Sequence, residues 1–220
     1  MSKKNISQEK IIQSFLTSAF EKSAGATSLA DISEILEIKK ASLYNHFENR
    51  DAMYDATIYH CGKEVESIKF LPEKSLESIQ NNKTTPSAFF KKMITRFFEM
   101  YENEPLFQIY VFLHTEQYFN LDALNIVEKE IESVTNEIKE ILSAFASVDK
   151  IGKKNEKELK DLASAITSII FQQRDFYIVK RKETVRQNPD CGAGSLFALP
   201  TDESSLNKTI KLVDTILKTL

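Results

Sequence analysis

An all-α protein is the fold class this sequence predicts, and three observations predict it. Apolar residues recur at three- and four-residue steps along most of the 220 positions, the period of one helix face. No stretch alternates strictly between apolar and polar residues, as a half-buried strand does. The 5 Gly and 5 Pro are too few for the turns of a sandwich or barrel, while 42% hydrophobic and 28% charged residues supply a core and solvated faces.

Each element follows from its local pattern. Ile11, Ile12, Phe15, Leu16, Ala19 and Phe20 form the inner face of a first helix, which Gly25 interrupts. Thr27 and Ser28 are N-cap residues, and Asp31, three positions after Ser28, completes a capping-box-like start for a short second helix through Ile32, Ile35 and Leu36. Ile38, Leu43 and Phe47 line a third short helix, with Lys39 and Lys40 off the stripe. Asn49 caps a fourth, with Met53, Tyr54, Ile58 and Cys61 inward. A first domain is therefore expected over 1–60 and a second over 61–220. In the second, 78–85 reads as a connection, and Thr85-Pro86 opens a helix because proline at the first helical position forfeits no needed hydrogen bond. Pro105 restarts a shorter helix. Val127, Ile131, Val134, Ile138, Ile141 and Phe145 then sustain one long stripe. Asn155 with Glu158 caps a long helix ending near Arg186, 188–200 reads as loop, and Leu206, Ile210, Val213, Leu217 and Leu220 line the last helix.

Composition narrows the function. No apolar run approaches the roughly 18 uncharged residues of a membrane span. The opening MSKKNISQEK has basic residues without an apolar core behind them, so no secretory signal is expected. Cys61 and Cys191 make no disulfide framework and point to a reducing compartment, hence to the cytoplasm. A net charge of −3 argues against nonspecific polyanion binding and confines any nucleic-acid surface to a local patch. No nucleophile–base pairing or repeated metal-ligand spacing stands out, so neither an enzyme nor a cofactor or metal is expected. Gly192-Ala193-Gly194-Ser195 follows no strand and reads as loop, not as a phosphate cradle.

Two short helices joined by a tight turn can set the second helix in a major groove. Leu43 and Phe47, four apart, must face inward with Ile38. That leaves Lys39, Lys40, Ala41, Ser42, Asn45 and His46 outward: ammonium groups for phosphates, short polar groups and an amide for base edges, and a small residue for close approach. Thr27-Ser28-Leu29-Ala30-Asp31-Ile32-Ser33-Glu34-Ile35-Leu36, then Ala41-Ser42-Leu43-Tyr44-Asn45-His46-Phe47 and Asn49-Arg50-Asp51, resembles the TetR family of bacterial transcriptional repressors over roughly residues 8–60. The resemblance implies that Thr27 holds a phosphate, that Lys39, Lys40, Ala41 and Ser42 enter the groove, that Tyr44 and His46 touch backbone or base edges, and that Arg50 grips phosphate. This sequence departs from the family pattern at Glu37, where a turn Gly is usual, at Lys39, where a Ser cap is usual, and at Ala24-Gly25-Ala26, where a Gly-aromatic pair is usual.

The resemblance also implies a helical body that dimerises and binds an effector. The expected homodimer forms through about 155–187 and 204–219 and sits on double-stranded DNA at a pseudo-palindromic operator, as a repressor released by a small molecule. Aromatic residues crowd positions 89–119, which suits an apolar or aromatic effector; the expected lining is Phe97, Tyr101, Tyr110, Phe112, His114 and Gln117. The other class left open is a helical protein-interaction module without operator binding, favoured by the acidic turn and by a first domain with little positive charge.

Overall fold

The computed structural model describes residues 6–188 and 201–220, and every described element is helical. The expected loop at 188–200, with Cys191 and Gly192–Ser195, falls outside the described residues beyond 188. In order, the elements are α1 (Gln8–Lys22), α2 (Leu29–Ile35), a 3-10 helix (Lys40–Asn45), α3 (Arg50–Glu66), α4 (Glu77–Gln80), α5 (Pro86–Glu99), α6 (Leu106–Glu116), α7 (Leu121–Ser147), α8 (Glu156–Gln187) and α9 (Glu203–Leu217). Local chemistry sets the starts. Ser28 and Asp31 form a complete capping box for α2, as Asn155 and Glu158 do for α8. The Asn49 side chain accepts from the Ala52 amide, and Thr85 caps α5 ahead of Pro86. Within the expected connection, Glu77–Gln80 forms one helical turn.

Packing resolves the chain into two units, each discontinuous in sequence: Met1–Ile68 with Pro105–Glu128, and Lys69–Glu104 with Lys129–Leu220. The boundary expected at residue 60 thus has a different counterpart, because α6 packs into the core of the first unit. There Phe15 meets Phe112 edge-on at 6.3 Å and Phe20 meets Phe107 at 5.0 Å. Gln13 donates to Gln108 at 2.9 Å, and the Tyr54 hydroxyl donates to Glu116 at 2.7 Å. Gly62 lets α3 approach the start of α7: a Cβ there would lie 2.9 Å from the Ile126 side chain.

The second unit is built from α5, α8, α9 and the greater part of α7. Phe89 packs edge-on to Phe145 at 5.8 Å, and Phe98 to Tyr177 at 5.2 Å. At its centre lies a polar feature that the apolar stripes conceal. Arg174 is fully buried, and its Nη1 and Nη2 donate to the two carboxylate oxygens of Glu130 at 2.6 and 3.2 Å. The Tyr101 hydroxyl donates to Glu130 as well, at 2.8 Å. The guanidinium lies 4.2, 4.6 and 4.8 Å from the ring centroids of Phe171, Tyr101 and Phe97. Glu130 displaces Ile131 from the α7 stripe: Val127, Val134, Ile138, Ile141 and Phe145 are buried as expected, whereas Ile131 faces outward.

A buried pair with one partner removed strands a charge, which is far costlier than never burying the pair. Glu130→Ala should therefore lower the unfolding free energy by about 3–5 kcal/mol in urea titrations. The double substitution Glu130→Leu with Arg174→Met should recover most of that loss. Equal losses in the two proteins would show that the charge pair is not what ties α7 to α8.

Candidate nucleic-acid interface

The segment Ser28 to Phe47 is built from two anchored pieces and a strained turn. Asp31 accepts from the Ser28 amide and hydroxyl, each at 2.7 Å, and pairs with Lys22 at 2.6 Å. Hydrogen bonds from Lys22 and from Ser28 hold its carboxyl well below the usual carboxylate range. After α2 the chain reverses at Glu37, whose φ of 54° lies in the left-handed region that favours glycine. A side chain in that conformation costs roughly 1–2 kcal/mol. The Ile38 amide closes the turn on the Ser33 carbonyl at 2.9 Å.

The next helix is a 3-10 helix, tighter than the α-helix expected. Lys39 stands at its N-cap and makes no side-chain cap bond, and the Ser42 amide donates to the Lys39 carbonyl at 2.9 Å in the i to i+3 pattern. Leu43 and Phe47 are buried in the core of the first unit. Lys39, Lys40, Ala41, Tyr44 and Asn45 are exposed, Tyr44 to 54%, and Ser42 and His46 are half-buried. Neither Lys39 nor Lys40 has an ion-pair partner among the described residues. Gln8 at the start of α1 donates to the His46 carbonyl at 3.0 Å, tying the end of the 3-10 helix to α1. That residue carries no sequence signal, since a lone glutamine before an apolar stripe reads as a solvated helix start.

Two predicted site residues require correction. Thr27 is 2% exposed; its hydroxyl donates to the Ser23 carbonyl at 3.0 Å and shares a hydrogen bond with Ser18 Oγ at 3.2 Å, so it is not offered to a phosphate. Arg50 is turned inward. Its Nε donates to the Thr27 carbonyl at 2.8 Å, its Nη2 donates to the Ala24 carbonyl, and its guanidinium lies 5.5 Å from the Phe15 ring centroid. It clamps the loop between α1 and α2 to the start of α3, while its Nη1 lies 3.5 Å from Asp51 and the side chain stays 31% exposed.

The six residues expected to line an effector pocket are divided between the two units. Phe97 and Tyr101 belong to the second unit; Tyr110, Phe112, His114 and Gln117 belong to the first. Phe97 is spent on Phe70, Tyr101 and Phe171, Phe112 on Phe15 and Tyr54, and Tyr110 stacks on His114 at 3.9 Å. The aromatic density of 89–119 is core. Tyr118 and Phe119 are the exceptions and are exposed.

Comparison with known proteins agrees with this geometry. The chain is similar to a TetR transcription regulator from Haloarcula marismortui, with a TM-score of 0.59, 12% identity and 97% of each chain covered. It is likewise similar to a TetR transcriptional regulator from Legionella pneumophila, with a TM-score of 0.54, 18% identity, and 96% of this chain and 98% of that one covered. The fold is therefore that of the TetR-family regulators. In sequence, the chain is similar to the biofilm operon icaADBC HTH-type negative transcriptional regulator IcaR of Staphylococcus epidermidis, 41% identical over 54 residues, which are 24% of this chain and 29% of that protein. The same regulator of Staphylococcus aureus is 39% identical over 54 residues. The match thus spans under a third of the length of these curated relatives. No family model matches the chain. The relatives and structural neighbours are transcriptional regulators, a class that is not enzymatic.

The inward turn of Arg50 has a measurable consequence. Arg50→Met removes two charge-assisted bonds to carbonyls and should destabilise the protein by about 1.5–3 kcal/mol per bond lost, read as a lower thermal midpoint in the absence of DNA. A residue that only gripped phosphate would leave that midpoint unchanged.

Proposed function

We propose that this protein, with its TetR-family fold, is a sequence-specific DNA-binding transcriptional regulator acting as a repressor. The observation that carries the reading is the exposed edge Lys39, Lys40, Ala41, Tyr44 and Asn45, presented by a helix whose Leu43 and Phe47 are buried. Lys39 and Lys40 supply sequence-independent phosphate contacts. Ala41, Ser42 and Asn45 supply short groups for base edges, with Tyr44 and His46 flanking them. The likeness of 54 residues to IcaR, described as a negative regulator, supports repression as the sign of the effect.

The reading includes a homodimer. α8 and α9 carry apolar side chains on their outer surfaces: Phe176 is 52% exposed, Val179 67%, and Leu212 is exposed as well. Phe176 and Val179, three residues apart, share one face of α8. A two-fold partner seated on α8 and α9 would cover them and set two reading helices about 34–36 Å apart, matching a pseudo-palindromic operator. A small-molecule effector would then act by binding more tightly to the head spacing that mismatches the operator, since equal affinity for both states shifts nothing.

Gel shifts with genomic fragments test the DNA reading. Lys40→Ala should weaken binding across all retained fragments and flatten the slope of log affinity against log salt by roughly one unit. An unchanged slope removes Lys40 from the phosphate contacts, and no fragment retained at low salt overturns DNA binding. For the dimer, Phe176→Asp should convert the particle to a monomer in sedimentation equilibrium. A wild-type protein that sediments as a monomer, or a variant that stays dimeric, excludes this interface.

A further inference from the structure

In the second unit, the segment between Glu73 and Thr84 and the first turns of α5 enclose a groove of about 450 Å³. That volume is in the range of pockets that hold small organic molecules, roughly 300–1,000 Å³. The floor is apolar: Phe89 and Met93 are buried, and the Phe89 ring is fixed edge-on against Phe145. Lys74, Lys83 and Lys92 line the groove against a single carboxylate, Glu73. Five lysines elsewhere have carboxylate partners, Lys22, Lys63, Lys139, Lys180 and Lys218. These three have none among the described residues. In a chain whose formal charge is −3, three unpaired ammonium groups around one apolar floor form a local excess of positive charge.

The walls are held in place by the backbone. Lys74 and Asn82 take positive φ values of 62° and 55°, and the Lys83 amide donates to the Ser78 carbonyl at 2.9 Å. The Ser78 hydroxyl donates to the Ser75 carbonyl at 2.8 Å, which closes the loop on itself. Ser75 lines the groove, and its hydroxyl makes no hydrogen bond among the described residues.

We propose that this groove is a binding site for a small amphipathic organic anion, a carboxylate, sulfonate or phosphate carried on a flat or short apolar body. The acidic group lies among Lys74, Lys83 and Lys92, and the apolar body covers Phe89 and Met93. A neutral apolar molecule in the groove would desolvate ammonium groups without compensation. As the effector site of the regulator proposed above, the groove rests on that reading. As a binding site it does not, and the test reads binding without DNA.

The probe is 1-anilinonaphthalene-8-sulfonate, with its uncharged relative N-phenyl-1-naphthylamine as control, titrated by fluorescence into the full-length protein. One saturable sulfonate site per chain is expected, and its affinity should fall with added salt while that of the neutral probe does not. Replacing Lys74, Lys83 and Lys92 together by Gln should weaken the sulfonate by about tenfold or more and the neutral probe by less than about twofold, since only the anion loses point-charge partners. Ala88→Trp, a substitution at an exposed helical position lining the groove, should weaken both probes by about tenfold by occupying the space. Circular dichroism and the thermal midpoint report folding in each variant, and Ala88→Trp keeps all three lysines. Sulfonate affinity unchanged in the triple variant, or binding undiminished by Ala88→Trp, overturns the proposal.

Discussion

The simultaneous burial of Leu43 and Phe47 is the constraint from which the proposed reading surface follows. Both side chains sit in the core with Phe15, Ile32 and Met53. Once those two positions are committed inward, the helix between them has no rotational freedom left. Lys40, Ala41, Tyr44 and Asn45 must then stand outside, whatever their own preferences. The polar edge is thus not stabilised by contacts of its own; it is the reverse side of an apolar anchor. Arg50, Asp31 and Gln8 serve the same end by fixing, in turn, the loop before α2, the start of α2 and the end of the 3-10 helix.

The second unit solves a different problem with a different device. Its aromatic side chains leave a central site that an arginine fills, and Arg174 is tolerable there because Glu130 takes two of its bonds and three rings face its charge. Aliphatic packing grips any neighbour of the right size, whereas a bidentate pair accepts one register. The geometry of α7 against α8 is accordingly specified by angle and distance as well as by volume.

Much of this was legible in the residues and some was not, for reasons that differ by position. Caps were readable because a capping box is a local chemical event: Ser28 with Asp31, Asn49, Thr85 with Pro86, and Asn155 with Glu158 all stand at helix starts. The outward residues of the reading helix were readable because a four-residue step between apolar anchors fixes its complement. Thr27 and Arg50 misled because residue type shows what a side chain can bind but not where it points; each found backbone carbonyls inside the fold first. The aromatic cluster was ambiguous for a related reason, since helical spacing is the same for rings that line a cavity and rings that fill one. Glu130 and Arg174 did leave a trace. Glu130 lies three after Val127 and four before Val134, and Arg174 four after Ile170 and three before Tyr177, so each falls on a buried stripe where a charge needs a partner.

The left-handed backbone of Glu37 shapes the turn between α2 and the 3-10 helix, two residues ahead of Lys39. A side chain there costs backbone free energy that glycine would not, so the turn depends on the burial of Ile32 and Leu43 on either side of it.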